Sequence, residues 1–283
     1  MNPVMQAVRV GASRGRTDFV RLSTTPGELF GYLFYPAVFV GLAATLNFDH
    51  NTTGVDGSGY FVAGGVVFAL VTTSLLTLAQ LIGTEREDGT LLRAKALPHG
   101  MLAYTVGKAL QLLMTCTLSV GLVLVAALLL VDGFTLQGWG GALTLAWVCA
   151  LGALALIPLG AILGSLTTNP RVTLALTMVV LLALMMVSGV FFPTDFFPAW
   201  VGAIGMALPL YWVGVGVRAA ALPGSDAAFE ASGAWDLPQA AGVLMVWAVV
   251  GFLVAPWVLR AMARRESGSR VDRARERAMK RAY

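Results

Sequence analysis

The chain has 283 residues, of which 57% are hydrophobic and 12% charged, where soluble domains carry roughly a quarter charged residues. That balance excludes an ordinary water-soluble domain and places the chain in the membrane class, with one membrane domain at this length. The net charge of +4 says less than the placement of the charges.

Residues 1–25 hold Arg9, Arg14, Arg16, Asp18 and Arg21 and no apolar core of the length a cleavable signal peptide needs. Val4, Val8, Ala12, Gly15, Phe19 and Leu22 share one helical face, with Arg9, Arg16 and Arg21 off it. The spacing predicts an amphipathic interfacial helix, although Gly11 and Gly15 weaken any helix.

A helix needs roughly 20 apolar residues to cross about 30 Å of hydrocarbon. Six segments qualify: Pro26–Phe48, Tyr60–Ile82, Ala109–Val131, Trp139–Leu163, Val172–Phe192 and Gln239–Leu259. The expected organisation is a cytoplasmic amphipathic segment over 1–25, a six-span domain over 26–259 and a basic cytoplasmic tail over 260–283. The first span opens on Thr25-Pro26-Gly27-Glu28, which predicts a capping box with proline at the first helical position. Pro158 and Pro256 are expected to kink or end their spans.

Six spans put both termini on one face. Of 19 Lys and Arg, all but Arg218 fall in segments on that face, which predicts cytoplasmic termini. Asp49, Asp56, Asp132, Asp195, Asp226, Glu230 and Asp236 lie opposite, with Arg218.

The connection Pro193–Pro238 is too long and apolar for a plain loop. Beyond Pro193 and Pro198, Pro209 divides it into two pieces too short to span, which predicts re-entrant helices. Arg218 sits in the second piece and needs a partner or a route to the interface. The basic run from Arg260 to Arg281 fits topology and anionic lipid better than nucleic acid.

No catalytic constellation emerges. Gly100–Leu110 approaches a phosphate-binding loop, but Leu102 replaces its first glycine and Ala109 its hydroxyl. Gly107-Lys108 then ends a loop, with Lys108 snorkelling. His50 and His99 fall on opposite faces, Cys116 and Cys149 lie in apolar runs, and no metal site is expected. A stand-alone secondary transporter or channel commonly keeps ionisable groups inside its spans. Here the spans carry hydroxyls instead, Thr72, Thr73, Ser74 and Thr77 in the second and Thr173, Thr177 and Ser188 in the fifth. Energy would then come from outside the bilayer.

Between the second and third spans stands Gly83–Leu92, "GTEREDGTLL". Thr84 with Glu87 fits a capping box, the acids crowd one end, and Arg93 and Lys95 lie toward the other. Residues 84–97 are therefore expected to form one or two short cytoplasmic helices, either docking a partner or facing solvent.

"EREDGTLLRAKALP" followed by "GKAL" resembles the first cytoplasmic loop of type 2 ABC-exporter permeases. That group includes daunorubicin-resistance-type drug exporters and polysaccharide exporters. "SGVFFPTDFFPAWVGAIGMALPLYWVGVGVRAA", Ser188–Ala220, is similar to the same family's end of span five and extracellular re-entrant helices. The resemblance implies a dimer, expected to be a homodimer, with two separately encoded ATPase subunits that hold ATP and Mg. It implies a coupling helix over Glu85–Leu97, with Glu85, Arg86, Glu87, Asp88, Gly89, Thr90, Leu91 and Arg93 at the ATPase. It also implies a substrate path at the dimer axis, for which Thr73, Thr77, Met178, Met185 and Ser188 are candidates. The expected function is the permease subunit of a bacterial cell-membrane exporter for a drug, antibiotic or lipid, working by alternating access. The rivals are a stand-alone secondary transporter or channel and an exporter of lipid-linked glycan.

Overall fold

The computed structural model describes residues 3–45, 57–87, 97, 99–131, 134–167, 169–191, 198–230, 232–255 and 257–258. All regular structure among them is helical, and the chain is an all-α polytopic membrane protein. The elements are α1 (Pro3–Ser23), α2 (Pro26–Thr45), α3 (Gly57–Val71), a π-turn (Thr72–Thr77), α4 (Leu78–Glu87), α5 (Gly100–Leu130) and α6 (Gly138–Leu166). There follow α7 (Pro170–Val187), α8 (Ala199–Ala207), α9 (Pro209–Ala221), a 3-10 turn (Gly224–Phe229) and α10 (Leu237–Ala255).

The stretch Gly57–Glu85 is the centre of the bundle. It is 83% buried, against 22% for the apolar windows of α2 and α10. Helix α6 runs beside it in the same sense, so that Gly152 meets Leu70, Gly160 meets Leu75 and Gly164 meets Ala79. Small residues let these backbones approach, which is how helices gain packing energy where lipid supplies no hydrophobic drive. Helix α6 passes through Pro158 rather than ending there; Pro256 lies outside the described residues.

Two span boundaries differ from expectation. Helix α5 begins nine residues early, at Gly100, and its 31 residues reach about 46 Å, well beyond a hydrocarbon core of about 30 Å. The added turns serve α1. Helix α7 stops early, at Val187. Gly189 takes φ +59°, its N–H bonds the Met186 carbonyl, and the Val190 N–H bonds that of Met185. This Schellman stop is what the Ser188-Gly189 pair encodes. Past it, Val190 is fully buried and Phe191 stacks on Phe39 of α2 at 5.5 Å.

The split at Pro209 is real: α8 and α9 meet at 86°. A bend strands the last carbonyls of α8. The Trp212 indole N–H bonds that of Met206 at 2.7 Å, and the Trp247 indole that of Ala207 at 2.9 Å. Helix α9 then runs antiparallel to α6, with Val213 at Gly152, Gly216 at Val148 and Ala220 at Gly141. It ends beside Gln137, whose N–H bonds the Ala220 carbonyl at 2.9 Å. That is the end toward which α7 runs, so α9 starts inside the bundle and leaves by the face α7 approaches.

Arg218 on α9 is fully buried and finds its partner in Glu230, just past the 3-10 turn. Nε lies 2.5 Å from Oε1 and Nη2 2.9 Å from Oε2. The guanidinium also stands 4.5 Å over the Tyr60 ring, and the Tyr60 hydroxyl donates to the Gly189 carbonyl at 2.9 Å. Glu230, placed by sequence in an outer loop, is thus an internal counter-ion.

Candidate functional site

At the end of the bundle where α4 stops, α1 lies along the first turns of α5. Its buried stripe is Ala7, Gly11 and Gly15. A Cβ on Gly11 would fall 2.4 Å from the Ala103 carbonyl oxygen, and one on Gly15 2.3 Å from that of Gly107. The two glycines that weaken the helix by propensity are therefore where it docks. Of the expected apolar face, Val4 and Val8 stay exposed and Gly15 is buried, because close backbone approach selects the smallest residues.

Lys108 joins three helices there. Its Nζ lies 2.7 Å from Glu85 Oε1 on α4, 3.6 Å from Asp18 Oδ2 on α1 and 3.1 Å from Gln111 Oε1 on α5. Tyr104 donates to the other Glu85 oxygen. Lys108 does not snorkel; opposite charge on two neighbouring helices holds it inside.

The expected helix start at Thr84 is corrected. Helix α4 continues through it to Glu87, and the Thr84 hydroxyl donates back to the Leu81 carbonyl at 3.0 Å. A capping-box pattern carries no information where the preceding turn is already helical. Likewise the Thr25 hydroxyl donates to the Arg21 carbonyl at 2.8 Å, tying the α1–α2 corner, while Pro26 does open α2.

Of the residues assigned to ATPase contact, Glu85 is buried and spent inside the protein. Arg86 and Glu87 extend α4 by backbone; Asp88, Gly89, Thr90, Leu91 and Arg93 lie outside the described residues, as does Pro193. Pro198 caps α8 and Pro209 opens α9.

A cavity of about 500 Å³ opens between α2, the π-turn, α4 and α5. Thr73 and Thr77 line it, with Thr72 and Leu76 from the same π-turn. Such turns often mark functional positions. Glu28, Tyr32 and Tyr35 come from α2, Gln80 and Thr84 from α4, and Gln111, Thr115 and Ser119 from α5. The other path candidates do not reach it: Met185 and Ser188 are buried, and Met178 packs against the core. Sequence reasoning missed Glu28, Tyr32, Gln80 and Gln111. The available signal was polar residues recurring on facing spans at similar depth.

A model of the ABC-2 family transporter proteins matches residues 36–257, most of the chain. The chain belongs to that family. It is an ABC-2 permease, a transmembrane subunit of a transporter whose family implies a separate ATPase. Comparison with curated proteins finds no match. The match begins at Pro36, so α1 and the first turns of α2, including Glu28, lie before it.

Proposed function

We propose that this ABC-2 permease is the membrane subunit of an ATP-driven exporter for hydrophobic or amphipathic compounds. Drug, antibiotic and lipid are the cargo classes, in the manner of the daunorubicin-resistance-like branch. The observation that carries the reading is the family match over 36–257. Two copies of the chain form the pore in the cell membrane, with termini in the cytoplasm. Two ATPase subunits dock on Gly83–Leu97.

The Lys108 junction supports the coupling step. Helix α4 leads directly into the docking segment, and Glu85 ties it through Lys108 to α1 and α5. A push on residues 88–97 therefore moves three helices together, and the π-turn joins α4 to α3 within the central span. The cavity supports an amphipathic cargo, since polar groups line it within an otherwise apolar bundle. Buried Met185 and Ser188 move the favoured path toward the π-turn face of the second span.

The test is Glu87→Arg, expected to leave the protein inserted and ATPase turnover running while transport falls. Unchanged coupling between hydrolysis and transport would argue against ATPase docking on this segment.

A further inference from the structure

We propose that the cavity at the π-turn binds a protonated amine bearing N–H groups on an apolar body. This names the cargo chemistry of the permease proposed above and rests on that reading for its consequence in transport.

The hydrogens of the π-turn hydroxyls decide what they can offer a ligand. A threonine hydroxyl has one hydrogen to give and two lone pairs to offer. Thr72 gives its hydrogen to the Phe68 carbonyl, Thr73 to that of Ala69 at 2.9 Å, and Thr77 to that of Thr72 at 3.3 Å. Thr84 gives its hydrogen to Leu81 at 3.0 Å. Four hydroxyls on one wall thus have only lone pairs left to offer the cavity. On the α2 side stands Glu28, the one charged residue among the described residues of the lining.

Lys108, three residues from the lining residue Gln111, is already engaged. It faces Glu85 and Asp18, and it uses the Gln111 carbonyl oxygen. Donors stand on the other walls, the amide N–H groups of Gln80 and Gln111 and the hydroxyls of Tyr32, Tyr35, Thr115 and Ser119, where they can serve a ligand hydroxyl or carbonyl. The four spent hydroxyls and the Glu28 carboxylate together select a ligand group that donates and carries positive charge. An anionic head group would meet Glu28 with no cation among the described lining residues. A quaternary ammonium has charge but no hydrogen to give the threonines. Leu22, Pro36, Leu76, Leu81 and Leu112 supply apolar wall, and about 500 Å³ suits a small molecule.

The probe is a dodecylamine carrying a photoreactive diazirine on its chain, applied to the full-length permease in lipid nanodiscs. Labelled peptides are mapped by mass spectrometry. Labels are expected in 28–36, 69–84 and 111–119. Dodecylamine should compete at least about tenfold better than dodecyltrimethylammonium, and dodecanoate should not compete. Glu28→Gln, at an exposed position, should weaken labelling about tenfold, which is one charge-assisted contact. Thr73→Leu should abolish it by filling the site.

Labelling spread over lipid-facing α2 and α10, equal for every head group and indifferent to both variants, overturns the proposal. If the parent exports another compound with ATP while amine labelling is absent, the site fails and the exporter reading stands. If amine labelling holds but no ATPase drives export, the exporter reading fails and the site stands.

Discussion

Arg218 and Glu230, twelve residues apart, form a two-pronged ion pair in which both side chains are almost wholly buried. The pair fastens the end of α9 to the chain beyond the 3-10 turn, and Tyr60 brings in the start of α3. Removing one partner leaves an uncompensated buried charge, which costs about 3–5 kcal/mol. Glu230→Ala is therefore expected to lower the thermal unfolding midpoint in detergent markedly. The paired change Arg218→Met with Glu230→Met should recover much of that loss, because both charges then leave together.

Lys108→Met removes the cation that Glu85 and Asp18 share. Glu85 is 9% exposed and would remain buried with Tyr104 as its one side-chain donor among the described residues. The expected cost is about 1–3 kcal/mol, with weaker coupling of ATP hydrolysis to transport. Measured unfolding and coupling ratios check both. Lys108→Arg, which keeps the charge, should behave closer to the parent.

Gly11→Leu and Gly15→Leu place side chains where a Cβ already falls 2.4 and 2.3 Å from carbonyl oxygens of α5. Neither backbone can yield without parting the helices. Disulfide cross-linking between Cys introduced at Ala7 and Ala103 should drop in both variants, while membrane insertion is retained.

Gly189→Ala puts a Cβ on a residue at φ +59°. The left-handed conformation costs an L-residue about 1–2 kcal/mol. Unfolding should move by that amount, and amide exchange should rise first in the last turn of α7, whose carbonyls the stop satisfies.

The membrane spans, the break at Pro209 and the need of Arg218 for a counter-ion are legible in the sequence. Each depends on local properties: apolar length, a missing N–H, and the cost of a lone charge in lipid. The docking of α1 is not legible, because Gly11 and Gly15 lose helix propensity locally and gain contact with residues some ninety positions away. Thr84 misleads for a related reason. Its capping pattern is genuine as a string, but α4 is already helical when it arrives. The cavity is half legible: Thr73 and Thr77 stand out as polar in an apolar span, whereas Glu28 and Gln111 matter only once α2 and α5 face the π-turn.

The central claim is that this permease moves cargo only with an ATPase attached. Proteoliposomes holding the chain with its co-purified ATPase, loaded with a fluorescent amphiphile, measure it directly. The account predicts ATP-dependent movement that disappears when the ATPase is omitted or its hydrolysis is blocked. Equal movement by the chain alone, driven by an ion gradient or by diffusion, would contradict it.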